Sequence, residues 1–110
     1  MKKLPNLIIT SGEPAGIGLD LCVMLAFKQF LANIIIIGNK NAILSRAKLL
    51  KKDIKISTKL GSHFGNGELK IINLDYKNPV VPGQLDKNNS LQQLEGLKTS
   101  IELCLSKKFD

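Results

Sequence analysis

The chain has 110 residues, 44% of them hydrophobic and 23% charged, with a formal net charge of +7. That length allows one domain with its own core, and the composition excludes a disordered or fibrous chain. No apolar run approaches the roughly 20 residues of a membrane helix, and no signal-peptide segment follows Lys2-Lys3. A cytoplasmic protein with no membrane partner is expected.

The positive charge predicts no nucleic-acid partner. It comes from lysines spread along the whole chain and a single arginine, Arg46, with no Trp and one Tyr. Nucleic-acid readers lean on arginine forks and on aromatic stacking. A solvated lysine surface is the better account, in a Lys-, Ile- and Asn-rich usage typical of an AT-rich genome. Cys22 and Cys104 both fall in apolar helical patterns, and they predict buried thiols without a disulfide framework or a Cys-x-x-Cys site.

Leu7 to Thr10 is a short apolar run that predicts a strand covered on both faces. A glycine-rich loop follows, and then a buried helix over about residues 18–30, apolar all round from Leu21 to Phe27. Asp20 falls in its first turn, where a negative charge suits the helix dipole. Asn33 to Ile37, with four isoleucines in a row, predicts a second buried strand, ended by Gly38. Lys40 to Lys52 predicts a helix with Ile43, Ala47 and Leu50 inward. Ile54 to Thr58 alternates as a strand with one wet face.

Leu60 to Glu68 reads as a glycine-containing surface loop, with His63 exposed to solvent and without partners for a metal site. Leu69 to Leu74 predicts another strand, and Asn78 to Gln84 a proline-punctuated connection. The last helix would start at a Ser90–Gln93 capping box. It would bury Leu91, Leu94, Leu97, Ile101, Cys104 and Leu105, expose Glu95 and Glu102, and end on Lys107-Lys108. The order of elements predicts a layered α/β fold with a largely parallel sheet and flanking helices.

The loop Gly12-Glu13-Pro14-Ala15-Gly16-Ile17-Gly18 holds the candidate site residues Gly12, Glu13, Gly16 and Gly18. A strand-to-helix turn of this kind directs backbone N–H groups and a positive dipole end outward, which suits a phosphate or carboxylate. Glu13 would repel an anion, and suits a hydroxyl, an ammonium or the N–H groups of the helix start. The spacing G-x-x-x-G-x-G is neither the dinucleotide fingerprint nor a Walker A loop. By pattern alone a tight structural turn and a ligand contact stay equally open.

The stretch from Ile8 to Gly18 resembles the amino-terminal signature of the 4-hydroxythreonine-4-phosphate dehydrogenases, an apolar strand followed by T-x-G-[DE]-P-A-G-I-G. Pro82-Gly83-Gln84-Leu85 is similar to that family's G-[QK]-L segment, and Leu94 to Asp110 to its following helix. The resemblance implies that residues 1–110 are the amino-terminal part of one dehydrogenase-like α/β domain, related to isocitrate and isopropylmalate dehydrogenases and incomplete. For the complete enzyme it implies NAD-dependent oxidation and decarboxylation of 4-phosphooxy-threonine in pyridoxine 5'-phosphate biosynthesis. It also implies a divalent metal (Zn, Mg or Co) and a homodimer. The family's T-[GA]-P-x-x-K segment, its metal-binding histidines and its phosphate-holding groups have no counterpart in the sequence.

An inactive chain binding neither NAD nor metal by itself is therefore expected, with a complementing chain as a possible partner. The alternative is a non-catalytic α/β module that holds a small phosphorylated metabolite in the Gly12–Gly18 loop. Poor folding is expected as well, because the isoleucine strand and the first helix look for cover and a parallel-sheet edge stays open.

Overall fold

The computed structural model describes residues 3–110. The elements run β1 (Asn6–Thr10), α1 (Gly18–Leu25), β2 (Asn33–Gly38), α2 (Lys40–Leu49), β3 (Lys55–Ser57), β4 (Glu68–Asn73) and α3 (Lys87–Leu105). The four strands form one parallel sheet in the order β1-β2-β4-β3. β2 pairs on both sides, opposite Leu7–Thr10 on β1 and opposite Ile71 and Ile72 on β4. The expected α/β fold with a parallel sheet is what the chain adopts.

Successive side chains of a strand point to opposite faces, so each strand of the sheet serves two layers. On one face Ile36, Leu69 and Ile71 join Leu19, Val23 and Ala26 of the α1 segment and Ile43 and Ala47 of α2 in a single core. On the other face α3 crosses β1 and β2. Helices on both sides explain why β2 reads as an unbroken apolar run. The isoleucines Ile34 to Ile37 are at most 4% exposed. The expectation that the isoleucine strand lacks cover is thus corrected, whereas α1 keeps an uncovered apolar side.

Several local expectations are corrected. α1 ends at Leu25, not near residue 30. Phe27 and Lys28 turn back with N–H bonds to the carbonyls of Met24 and Leu25, and Gly67 N–H takes the Ala26 carbonyl. Leu21 and Met24 stay on its open side. His63 is buried, not exposed; its Nε2–H donates to the Leu25 carbonyl at 2.7 Å and caps the end of α1. Leu50 lies past the end of α2, half-exposed.

α3 departs furthest from expectation. It starts a turn earlier, at an N-cap Asp86 whose carboxylate accepts the Asn89 N–H at 3.0 Å. That bond holds the Asp86 carboxyl below its ordinary pKa. The face against the sheet is Asn89, Gln93, Gly96 and Ser100, while Leu91, Leu94, Leu97, Ile101, Cys104 and Leu105 are all exposed. The reason is local. Gly96 allows close approach to Leu74, where a Cβ would stand 2.6 Å from Leu74 Cδ1. The polar members find partners: Asn89 bonds the Asn78 backbone, and Ser100 the Gly96 carbonyl. Lys107 and Lys108 lie beyond the helix, with Lys107 in the left-handed region at φ 64°.

Candidate functional site

The loop from Ser11 to Ile17 leaves the C-terminal end of β1, the side of an open parallel sheet where ligands bind. Its course is set by three glycines in three ways. Gly12 has φ +75° and open space around it, so it supplies a left-handed turn. Gly16 closes the turn through its N–H to the Glu13 carbonyl at 2.9 Å. Gly18 is required by contact, because a Cβ there would meet the Ser11 carbonyl oxygen at 1.9 Å.

Bonds from elsewhere in the chain hold the loop. Arg46 of α2 reaches it with Nη1, which donates to the Gly16 carbonyl at 2.9 Å and to Asp20 Oδ1 at 3.0 Å. Arg46 is only 6% exposed, so it is a buried clamp. The Gly83 N–H donates to the Ala15 carbonyl at 3.0 Å. The Pro82–Leu85 segment therefore meets the glycine loop in space. Ser90 Oγ donates to Glu13 Oε2 at 2.8 Å, and Ser11 Oγ to Gln93 Oε1 at 3.2 Å.

Glu13 also accepts the Ala15 N–H at 3.3 Å. It serves a hydroxyl and a loop amide, as its chemistry suggested. The amides of Ala15 and Gly16 are thereby turned onto Glu13. Behind the loop, Tyr76 OH donates to the same Gln93 Oε1 that Ser11 uses. Burial pushes the Tyr76 hydroxyl up to about 12, and the Glu13 charge adds to this against the bond from Ser11. Gln93 Nε2 is buried without a partner.

Between the loop and α3 lies a cleft of about 300 Å³, walled by Gly12, Glu13, Ser90, Gln93, Leu94 and Leu97. Of the four candidate residues, Gly12 and Glu13 face this cleft, while Gly16 and Gly18 shape the turn behind it. Gln93 went unnoticed as a site residue because its spacing suggested a helix cap. Nothing in the sequence marked Arg46 beyond its being the only arginine. Among the described residues no cluster of three or more His, Cys, Asp or Glu could hold a metal ion, and Cys22 is buried with its thiol pushed up to about 11.

Over 110 aligned residues the chain is 34% identical to a 4-hydroxythreonine-4-phosphate dehydrogenase of Methylococcus capsulatus, covering 96% of this chain and 33% of that protein. The same enzyme of Wigglesworthia glossinidia brevipalpis is 35% identical, covering 99% of this chain and 34% of its own length. The chain is a relative of the 4-hydroxythreonine-4-phosphate dehydrogenases. It spans about a third of the length of the curated relatives it matches. A solved dehydrogenase of that name from Burkholderia phymatum superposes with a TM-score of 0.84 at 23% identity, over 99% of this chain and 35% of its own, which shows a shared fold. No family model matches the chain. No helix among the described residues is long and apolar enough to cross a membrane.

Proposed function

We propose that this chain supplies the glycine loop and its supporting layers to a cytoplasmic, NAD-dependent dehydrogenase acting on 4-phosphooxy-threonine in pyridoxine 5'-phosphate biosynthesis. The observation that carries the reading is a pairing: nearly the whole chain aligns with these relatives, and its Gly12–Gly18 loop is held by Arg46, Gly83 and Ser90 beside a cleft. The relatives' names supply the substrate class, and the pathway follows from that chemistry.

The described residues do not fit a catalytic divalent metal. Their histidine is buried on a backbone carbonyl, and they gather no ligand cluster. The groups that polarise the substrate hydroxyl would therefore come from outside the described residues, and the complete enzyme would pair as a homodimer. NAD, which supplies the hydride acceptor when bound, suits the cleft better than the loop backbone, with Gly12, Glu13 and Gln93 as the residues that would hold it. Phosphate binding by the loop itself has less support, because the Glu13 carboxylate already takes the amide of Ala15.

The test has two arms. The purified chain given 4-phosphooxy-threonine, NAD and a divalent metal is expected to form no NADH. Co-expressed with the Methylococcus relative lacking its matching third, it is expected to restore NADH formation. Activity of the chain alone would refute the division of labour, and failure of the complemented pair would count against the dehydrogenase reading.

A further inference from the structure

We propose that the open edge of β1 and the apolar side of α3 above it form the interface of a two-fold dimer of this chain. Backbone groups of a strand alternate between its two edges. The Pro5 carbonyl accepts the Asn33 N–H, and the Ser11 N–H goes to the Ile37 carbonyl, so odd-numbered residues of β1 face β2. Asn6, Ile8 and Thr10 therefore face outward. Asp110 closes the first of these: its N–H donates to the Asn6 carbonyl at 2.7 Å, and its Oδ2 accepts the Asn6 N–H at 2.8 Å. Ile8 and Thr10 have no backbone partner on that side among the described residues. An uncovered edge of this kind is a template for another strand.

A second copy fits this edge in register. With Ile8 of each copy opposite Thr10 of the other in an antiparallel pair, the open N–H and carbonyl groups of both residues are satisfied and the Asn6–Asp110 clasp stays in place. The left-handed turn at Gly12 carries the partner strand away before it reaches that clasp. α3 runs back along β1: Leu94 and Leu97 share a cleft with Thr10, and Ile101 and Leu105 share a groove with Ile8. The same two-fold axis sets Leu97 against Ile101 and Leu94 against Cys104 of the second copy, at the a and d spacing of a helix seam. All four side chains are exposed. α3 rests over both β1 and β2, and neighbouring strands stand about 4.8 Å apart. The two helices thus come about 10 Å apart, a distance at which helices pack. On the opposite face Leu21 and Leu25 of α1 line a second groove with Ile9 and Thr10, toward the same edge. Apolar side chains around the edge leave on the order of 700 Å² uncovered per copy, within the share each partner gives a stable interface and above the usual largest apolar patch of a monomer. The contact is isologous and closes at two copies. It stands on the chain's own surface and does not use the dehydrogenase reading.

Sedimentation equilibrium of the full chain, from roughly 1 to 200 μM, is expected to give a monomer–dimer equilibrium with a dissociation constant on the order of 10 μM. Each copy carries +7, so raising the salt concentration should tighten the pair. Hydrogen exchange reads the edge itself. The amides of Ile8 and Thr10 should gain at least about tenfold protection as the dimer fills, whereas Leu7 and Ile9, already paired with β2, should change little. Ile101→Lys should weaken the dimer about a hundredfold by burying a charge in the seam, with helix content unchanged because Ile101 is half-exposed. Leu49→Lys, on the exposed side of α2, should leave the dimer intact. A monomer at the highest concentration, growth beyond two copies, Ile8 and Thr10 amides that exchange alike at all concentrations, or equal effects of the two substitutions would each overturn the proposal.

Discussion

Replacing Gly18 with alanine places the new Cβ 1.9 Å from the carbonyl oxygen of Ser11, and both sides of that contact are backbone. Relief requires the end of β1 and the start of α1 to separate by more than about an ångström, beyond the few tenths that packed interiors absorb easily. Overpacking of this kind costs about 1–3 kcal/mol. The shift also strains the buried Ser11–Gln93 bond, worth about 1 kcal/mol more. Alanine's better helix propensity returns at most about 1 kcal/mol. The net loss should be about 1–3 kcal/mol, a large share of the stability of a domain this size. Gly12→Ala is the control, because it has open space and only a left-handed backbone to lose; it should cost about 1 kcal/mol. Urea unfolding followed by circular dichroism measures both. A Gly18→Ala loss no larger than that of Gly12→Ala would refute the packing argument.

Arg46→Met should destabilise by about 2–3 kcal/mol, through loss of charged hydrogen bonds to Gly16 and Asp20, and limited proteolysis should find cleavage in the freed loop. Tyr76 is the chain's only tyrosine, so its ultraviolet titration is unobscured; the midpoint should be about 12 in the folded chain and about 10 in urea. Because the folded value is the higher one, its stabilisation is intact below pH about 10 and lost as pH rises toward 12. Tyr76→Phe should flatten that alkaline loss, read as the urea midpoint against pH. A thiol reagent at neutral pH should label exposed Cys104 quickly and buried Cys22 only on unfolding; equal rates would contradict the packing of α1. Lys51→Gly should raise Tm, since Lys51 holds φ 56° at the end of α2, a conformation that costs a side chain about 1 kcal/mol.

The strands were legible in the sequence because β-branched runs bounded by turn residues admit few other readings. Asn33–Gly38 and Asn6–Thr10 fall where their apolar runs do. Helix faces were harder. In α3 the leucine spacing is a sound helical signal, yet the face that docks was decided by Gly96 and by partners for Asn89 and Gln93 far away in the chain. A periodicity shows that a face exists, not which face meets the sheet. The exposed reading of His63 failed for a related reason, and Arg46 went unmarked: each bonds a carbonyl that sequence spacing does not reveal, Leu25 O for His63 and Gly16 O for Arg46. In the loop, Gly12 and Glu13 were recognisable from their types, whereas the contribution of Gln93 existed only once Ser11 and Tyr76 had claimed its oxygen.

The contacts that build the cleft join distant parts of the chain. Ser11 and Gln93 are 82 residues apart, and Glu13 and Ser90 are 77 apart. On a ribosome making the chain from its amino end, β1, the glycine loop and α1 emerge long before α3 exists. Until then Glu13 lacks its hydroxyl donor and Ser11 its amide. The loop clamp by Arg46 spans only 30 residues and can close earlier. Assembly thus has an order, turn first and cleft last, and non-local closure of this kind is the slow part of folding. Any competence of the cleft for a ligand arrives only once α3 has been synthesised.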